Sequence, residues 1–460
     1  MKNEKIVISP QKKAFKGFGG YCTADSLVIR VDRFKDVINS LANSPVRPLI
    51  ARGAGYSYGD AALNSNGAVI LTERLNRILS FNEETGFLKA ESGVRIEEIF
   101  SVIIPRGWIL PVVPGFSNIT LGGCVAFDVH SKNHWKEGGF SKHVIGLRIV
   151  LADASVQYCS RDIEPELFWA TISGMGLTGV IVEVELKLRH IETPCFNISS
   201  IPVHGVEEIL VKFEEVCPIH DFAVAWVDLL NLKNFGRGIM FAASYGKSTD
   251  INGTIFKDEP YERNKSHLQF PLKSLATFFT HSTNSMFNAL YYTKHAKNSQ
   301  QNIVGIRPFL FPWDSIPYWN QLYGRNGFVE YQCVVPSETA VLGLVNILEH
   351  VRLQNSNYPV YFAAIKRMGP SNAPLSFPIE GYCLLMDFPV RPGLWKFLEE
   401  IDEMLIRYKG RVFLAKDSRV GASAFRQMYP ELDKWLKVKQ AVDPKETFVS
   451  DMSRRLALTG

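Results

Sequence analysis

Cysteine is scarce in this sequence, and its distribution argues against two common uses of the residue. The 460 residues include seven cysteines, an odd number, and no two of them form a Cys-x-x-Cys motif. This pattern disfavours both a disulfide framework and a structural zinc site. We therefore expect free thiols and no bound metal.

Long hydrophobic runs are missing as well. No stretch approaches the roughly 20 apolar residues that a membrane-spanning helix needs. The first residues also lack the apolar core of a secretory signal peptide. These features predict a protein that is cytoplasmic or peripheral at a membrane, without a transmembrane segment.

The chain has no basic tail, internal repeat or low-complexity segment. Its net charge is only +5, and its lysines and arginines are dispersed, so nucleic acid is not an expected partner. A content of 46% hydrophobic and 21% charged residues is typical of a globular protein. The length of 460 residues predicts two or three domains.

Glycine, by contrast, is concentrated in two loops near the N-terminus. Gly53, Gly55 and Gly59 lie in residues 51–60, directly after an apolar run, and a second loop covers residues 114–123. Glycine lets a ligand approach the main chain closely, and loops rich in exposed N–H groups bind anions. Two such loops favour one long ligand that contains a pyrophosphate, and FAD is the first candidate.

The periodicity of apolar residues predicts an α+β fold rather than a regular βαβ series. Proline, glycine and polar clusters supply the breaks between elements. The predicted helices are 31–44, 95–104 and 165–172; the predicted strands are 46–51, 67–71, 74–81, 86–91, 180–189 and 412–415, with a strand pair over 146–159 that turns at 152–155. Loops are predicted at 230–237 and 247–273, and helices after residue 415.

One literal G-x-G-x-x-G motif is formed by Gly174, Gly176 and Gly179. A dinucleotide-binding motif of this type needs a strand before it and a helix after it. The predicted order here is the reverse, a helix followed by a strand. We therefore interpret the motif as a tight helix-to-strand turn that lies against a ligand.

Polar residues in two further places are candidates for the site. His130 and His134 have a helical i, i+4 spacing, but no acidic residue accompanies them as in metalloproteases, so metal binding is disfavoured. The alternatives for residues 128–134 are a functional segment and a solvated loop. Lys366 and Lys416 each follow an apolar strand, where a lysine either extends to solvent or points into a site to stabilise an anion.

The joint order of several motifs resembles a known family. Residues 52–60, 114–115 and 120–123 resemble the flavin-binding half of the vanillyl-alcohol-oxidase (PCMH-type) superfamily. Residues 128–134, 166–170, 176–179, 374–378, 415–419 and 450–455 resemble the decaprenylphosphoryl-β-D-ribose 2′-oxidase family within it. The resemblance implies a two-part PCMH-type FAD-binding domain at 1–193, an antiparallel-sheet substrate domain at 194–410, and a C-terminal segment at 411–460 that returns to the FAD domain.

The resemblance also implies roles for individual residues. The catalytic candidates are Lys416 and His130. The implied cofactor-binding residues are Ala51, Arg52, Gly53, Ala54, Gly55, Tyr56, Ser57, Tyr58, Gly59, Asp60, Ala61, Gly115, Thr120, Leu121, Gly122, Gly123, Phe127, Asp128, Val129, His130, Ile181 and Phe413. The implied substrate-binding residues are Tyr58, Lys132, Trp226, Gln332, Lys366, Cys383, Leu385 and Lys416.

Several positions depart from the family pattern. Tyr56 stands where covalent relatives carry a flavin-linking histidine, which predicts noncovalent FAD. Leu385 stands where some members carry a cysteine, and Cys383, two residues away in a strand, faces the same side. Leu310 and Glu330 replace a tyrosine and a glutamine near the pocket, and Phe413 replaces a tyrosine.

The implied activity is FAD-dependent oxidation of a secondary hydroxyl of an activated sugar, most simply a polyprenyl-phosphate pentose. A short-chain reductase acting on the keto product is the implied partner, in a two-enzyme epimerisation that serves cell-envelope polysaccharide synthesis. Residues 270–292, rich in aromatics and flanked by Lys and His, suit a membrane interface or a packed core. The alternatives are a soluble polyol or sugar-lactone oxidase, a nicotinamide-dependent flavoprotein reductase, and a flavin-free binding protein.

Overall fold

The computed structural model describes residues 9–44, 46–251, 279–297, 302–316 and 318–459. The first sheet has four strands in the order β1-β2-β4-β3, and its β2–β4 and β3–β4 pairs are parallel. Helix α1 connects β2 to β3 and packs its buried Val37 and Leu41 against the sheet. These elements are β1 Ser9–Lys16, β2 Thr23–Arg30, α1 Phe34–Asn43, β3 Leu49–Arg52 and β4 Ala68–Leu71.

The second sheet is antiparallel, with five strands in the order β5-β6-β10-β8-β9, and β7 pairs separately with β11. Helices α2 to α5 are inserted between these strands. The elements are β5 Ile78–Asn82, β6 Phe87–Glu91, α2 Ile96–Ile103, β7 Trp108–Ile109, α3 Leu121–Ala126, α4 His134–Glu137, β8 Val144–Val150, β9 Val156–Ser160, α5 Pro165–Thr171, β10 Val180–Lys187 and β11 Arg189–His190.

The third sheet has eight antiparallel strands in the order β15-β12-β14-β13-β17-β18-β16-β19. Helices flank it, and three short helices follow its last strand. The elements are β12 Cys195–His204, α6 Gly205–Val216, β13 Phe222–Asp228, β14 Arg237–Tyr245, α7 His281–Lys297, β15 Asn302–Gly305, α8 Ile306–Leu310, β16 Phe328–Pro336, α9 Ala340–Leu353, β17 Phe362–Met368, β18 Gly381–Pro389, α10 Leu394–Arg407, β19 Arg411–Val412, α11 Ala422–Met428, α12 Leu432–Val442 and α13 Asp451–Arg455.

The C-terminal residues return to the first sheet. Leu49 in β3 donates a backbone hydrogen bond to Thr447 at 2.7 Å, and its carbonyl accepts one from Val449 at 2.9 Å. The Asp451 carboxylate accepts hydrogen bonds from the backbone N–H and the hydroxyl of Ser65. The fold is α+β, and its three sheets bring the two glycine loops to one face of the third sheet.

Candidate active site

A large cavity lies between the two glycine loops and the third sheet. One wall is formed by residues 51–58, from the end of β3 onward, by residues 114–116, 119–120 and 122–123 around the start of α3, and by the turn before β10. The opposite wall is a face of the third sheet. Side chains there alternate along each strand, so every second residue points at the cavity: Val224 from β13, Glu330 and Gln332 from β16, Phe362, Ala364 and Lys366 from β17, and Leu385 from β18.

Contact between the glycine loops requires their small residues. A Cβ added to Gly53 would lie 2.2 Å from the Thr120 hydroxyl, which no side chain permits. Gly55 has a φ of +78°, in the left-handed region that favours glycine. The Arg52 guanidinium donates to the carbonyls of Lys16 and Ala62 and so fixes the loop from behind. The sequence therefore places main-chain atoms, rather than side chains, along this wall.

The cavity lining fits the flavin cofactor expected from the sequence. Its loops present backbone to a ligand, and Gly115 has open space where a side chain would be. Two buried polar atoms of lining residues, the Ser92 hydroxyl and His130 Nδ1, have no hydrogen-bond partner within the described chain. Such buried atoms are normally paired, so both are available to a bound group.

The turn at Gly174–Gly179 lies against the same cavity. Helix α5 precedes it and β10 follows it, which is the reverse of the dinucleotide-binding order. Met175, Gly176 and Gly179 line the cavity, and Gly176 has a φ of +77°. The predicted helix-to-strand turn is confirmed, and its contact with a ligand stays a prediction.

Residues 128–134 are buried, so the alternative of a solvated loop is wrong. Asp128 is fully buried at a φ of 40°, and its carboxylate accepts hydrogen bonds from the Ser141 amide at 2.8 Å and the Ser376 hydroxyl at 2.6 Å. These bonds turn the chain so that Val129, His130 and Lys132 line the cavity, while Asp128 itself lies behind it. The polar character of the segment reflects internal hydrogen bonding as well as the site.

His130 is held as a neutral ring. Burial, assisted by the charges of Lys366 and Lys416, lowers its pKa well below the ordinary value. The Gln332 amide nitrogen lies 2.7 Å from His130 Nε2, so Nε2 accepts and Nδ1 carries the proton. That proton has no acceptor in the described residues and is available to a ligand.

His134 does not join His130 in a metal site. The two rings are 6.5 Å apart, and His134 Nδ1 accepts a hydrogen bond from the Gly369 amide at 2.9 Å. Burial lowers the pKa of His134 to about 3. Across the described residues, no group of three or more His, Cys, Asp or Glu side chains could hold a metal ion.

Three lysines line the cavity: Lys132, Lys366 and Lys416. Lys132 donates to the carbonyls of Phe309 and Leu310, and burial with the nearby charge of Lys366 lowers its pKa to about 7. A buried wall carrying three amines suits an anionic ligand.

Lys416 does not extend to solvent. Its Nζ lies 3.3 Å from Glu330 Oε2 and 3.5 Å from the centre of the Tyr58 ring. Burial lowers the pKa of Lys416, although the carboxylates of Glu330 and Asp387 oppose that shift. Of the two interpretations left open by the sequence, the structure supports the one in which Lys416 faces a site.

Most of the residues expected at the site line this cavity. Those that lie outside its lining are Gly59, Asp60, Leu121, Asp128, Trp226 and Cys383. Cys383 accepts a hydrogen bond from Gln332 at 3.2 Å and contacts the cavity only through that lining residue. Trp226 packs edge-on against Tyr291 of α7, at a centroid distance of 4.9 Å.

Sequence reasoning left other lining residues out of the expected site. These include Ser92, Phe116, Ile119, Met175, Val224, Trp313, Phe362, Ala364 and Ala415. Leu310 and Glu330, which the family pattern implied near the pocket, do line it. The strand period could have found Ala364 and Phe362, which share a face with Lys366. Glu330 shares a face with Gln332 in the same way.

Part of the aromatic segment 270–292 lies outside the described residues, which resume at Phe279. Phe279 contacts Tyr323 and Tyr361, and α7 packs through Tyr291 on the third sheet. Met286, Phe287 and Leu290 of α7 are exposed. None of the described helices is both long enough and apolar enough to cross a membrane.

Sequence comparisons agree with this geometry. The family described as an FAD binding domain matches residues 26–160, and the family described as D-arabinono-1,4-lactone oxidase matches residues 386–456. The chain is 34% identical over 426 residues to decaprenylphosphoryl-beta-D-ribose oxidase of Mycolicibacterium smegmatis, with 90% of each chain covered.

More distant similarity extends to two further proteins. The chain is 29% identical over 374 residues to an uncharacterized protein of Streptomyces coelicolor, which covers 79% of this chain and 100% of the relative. It is 24% identical over 220 residues to D-arabinono-1,4-lactone oxidase of Eremothecium gossypii, which covers 46% of this chain and 40% of the relative. The similarity to the mycobacterial oxidase covers nearly the full length of both chains. The chain therefore belongs to the family of FAD-dependent oxidoreductases acting on CH–OH groups that includes decaprenylphosphoryl-beta-D-ribose oxidase.

Proposed function

We propose that this enzyme oxidises a secondary hydroxyl of an activated sugar, a polyprenyl-phosphate pentose, as the 2′-oxidase half of a two-enzyme epimerisation. The observation that carries the proposal is the placement of Lys132, Lys366 and Lys416 on one cavity with the glycine loops. The similarity to decaprenylphosphoryl-beta-D-ribose oxidase over 90% of both chains supports the sugar and its carrier.

The residues divide between cofactor and substrate. The glycine loops and residues 127–130 would hold FAD, with Ile181 and Phe413 packed against it. Bound FAD would supply the hydride acceptor, and the protein supplies position and charge. Lys132 and Lys366 would face the phosphate or the sugar, where their amines favour an anion.

Lys416 is the proposed catalytic residue. A fixed ammonium near the reacting hydroxyl stabilises the negative charge that develops on oxygen, and it does so more strongly in a buried site than in water. Its contact with Glu330 and with the Tyr58 ring holds the amine in place. His130, neutral and oriented by Gln332, would donate from Nδ1 to the cofactor or the substrate.

The proposal includes the division into an FAD-binding domain at 1–193, a substrate domain at 194–410 and a C-terminal segment at 411–460. The change of sheet between β11 and β12 supports the first boundary. Strand β19, which pairs with β16 in the third sheet, falls in the segment assigned to 411–460. That segment therefore supplies both a strand of the third sheet and the helices that return to the first sheet.

We expect the flavin to be released intact by acid, because Tyr56 occupies the position of the linking histidine in covalent relatives. Tyr56 stacks on Phe18 with ring centroids 5.1 Å apart and is thereby held within the aromatic cluster of the loop. Trichloroacetic acid precipitation should leave a colourless pellet and a yellow supernatant. Yellow colour that stays on the pellet would contradict the prediction.

Peripheral membrane contact through α7 would deliver the lipid-linked substrate. Phe287 and Leu290 are 61% and 64% exposed on this helix. The variant Met286→Ser/Phe287→Ser/Leu290→Ser should lower co-sedimentation with anionic vesicles by at least 10-fold. A 10-fold loss corresponds to about 1.4 kcal/mol, less than the roughly 1.5–3 kcal/mol that one fully buried apolar side chain contributes. Ile219→Ser, at another exposed apolar position, is the matched control. Equal binding by the triple variant and the control would remove the idea.

The second candidate is a soluble sugar-lactone oxidase. The match of residues 386–456 to the lactone oxidase family favours it. Anaerobic mixing separates the two: a polyprenyl-phosphate pentose should bleach the flavin, whereas free lactones and polyols should not. A short-chain reductase that consumes the keto product is the proposed partner, and coupled turnover to the epimer tests it.

A further inference from the structure

Two carboxyl groups face each other beside Lys416. Glu330 of β16 and Asp387 of β18 are directly paired across neighbouring antiparallel strands. Residues in such positions have Cβ atoms roughly 4.5–5.5 Å apart and side chains on the same face of the sheet. Both are buried, and Asp387 is only 1% exposed.

The hydrogen bonds of the two groups differ. Glu330 Oε2 is 3.3 Å from Lys416 Nζ, and Glu330 lines the cavity. Asp387, beside it on the neighbouring strand, is not part of the lining, and its Oδ2 accepts a hydrogen bond from the Tyr323 hydroxyl at 3.1 Å. Asp387 Oδ1 is buried and has no partner among the described residues. An ionised carboxylate with a bare oxygen is far more costly in such a place than a neutral carboxylic acid.

The surrounding charges give the same result. If both carboxyls were ionised, Lys416 would neutralise only one of them. The other ionisable groups that interact with the pair are Tyr58, Tyr323 and Cys383. Lys366 and Tyr361 lie one step further out, next to Lys416 and Tyr323. Burial raises the pKa of each of the three tyrosines, so they stay neutral. Burial and the facing Glu330 also raise the pKa of Asp387 well above its ordinary value.

We propose that Asp387 keeps a proton in the resting enzyme, and that Glu330, which lines the cavity beside Lys416, accepts the proton of the substrate hydroxyl. The second half rests on the function proposed above. The substrate O–H bond breaks and its proton moves to Glu330. The carbinol C–H bond would break as a hydride, for which bound FAD would be the two-electron acceptor, and a C=O bond would form. Lys416 stabilises the oxygen while the proton leaves.

The resting proton can be observed without substrate. Infrared spectra of wild-type holoenzyme labelled with carboxyl-¹³C aspartate should show, at pH 7, a protonated carboxylic-acid band that shifts on labelling. Asp387→Asn should lack this band, whereas Asp402→Asn, which changes another buried acid, should keep it. A wild-type spectrum without the band would overturn the assignment of a proton to Asp387. This result does not depend on whether any variant folds.

The proton acceptor is tested by anaerobic stopped-flow reduction with polyprenyl-phosphate pentose. Glu330→Gln should slow flavin reduction about 100-fold at pH 7, a typical contribution of a general base. Glu330→Asp should recover part of the rate, and exposed Glu338→Gln is the control. A wild-type rate in Glu330→Gln would overturn the assignment.

Failure of the proposed function would look different. If wild-type enzyme is bleached by a lactone or polyol but not by the lipid-linked pentose, the substrate is wrong. The infrared band still decides the proton on Asp387, and the same rate comparison with the bleaching compound decides the role of Glu330.

Discussion

Replacing Lys416 by alanine should leave FAD bound and slow its anaerobic reduction by about 100- to 1000-fold, the range found when a group that stabilises a developing oxyanion is removed. The ammonium lies 3.3 Å from Glu330 and within a buried wall of the cavity. Its loss removes the ion-pair partner of Glu330. Stopped-flow bleaching of the flavin measures the rate, and the visible spectrum measures cofactor content.

Two controls separate charge from packing. Lys416→Met keeps most of the side-chain volume and should lose nearly as much rate as Lys416→Ala. Lys437→Ala removes an exposed lysine of α12 and should behave as wild type. A reduction rate in Lys416→Met within 3-fold of wild type would show that the charge is not required.

Arg455→Met should lower the free energy of unfolding by about 3–5 kcal/mol, the usual consequence of leaving buried carboxylates without their partner. The guanidinium donates two hydrogen bonds to Asp60, at 2.8 and 2.9 Å, and one to Asp417 at 2.9 Å. Both carboxylates are largely buried. Arg455 thus ties α13 to the first glycine loop and to the residue after Lys416.

Two other arginines offer controls. Arg454 pairs with Asp451 at 2.8 Å and donates to the buried Asn64, so Arg454→Met should lose an intermediate amount. Arg426→Met is the exposed control: Arg426 pairs with Asp433 at 2.7 Å on the surface, so its loss should cost only about 1 kcal/mol or less. Urea unfolding of the three variants, followed by far-UV circular dichroism, gives the comparison. Equal losses in Arg455→Met and Arg426→Met would contradict the assigned role of Arg455. FAD content should fall with Arg455→Met, because Asp60 belongs to the loop that contacts the cavity.

Local pattern predicted many elements of the first two sheets. The predicted helix 165–172 and strand 180–189 correspond to α5 and β10, and the turn at 152–155 separates β8 from β9. The predicted strand 74–81 begins later, as β5 Ile78–Asn82. Residues 73–74 form a turn, and residues 75–77 have no regular secondary structure. Apolar spacing and turn residues carry this information, since both act between near neighbours in the chain.

Long-range pairings could not be predicted in the same way. The pair Asp60–Arg455 joins residues 395 positions apart, and Glu330 meets Asp387 through a strand register that only the folded sheet fixes. The strand period predicts that Cys383 and Leu385 share one face of the sheet, but it could not predict which of them borders the cavity. Leu385 lines the cavity, whereas Cys383 is hydrogen-bonded to Gln332 outside the lining. The glycine loops were the exception, because their composition directly reports a backbone that must approach a ligand.

We propose that this enzyme oxidises a lipid-linked sugar with FAD. The decisive measurement is the visible spectrum of the purified protein, recorded under anaerobic conditions while polyprenyl-phosphate pentose is added. We predict a flavin spectrum that bleaches on addition, with a 2′-keto sugar as the product. A protein that stays colourless with added FAD, or a flavin that is bleached only by NADPH, free lactones or free polyols, would contradict the account.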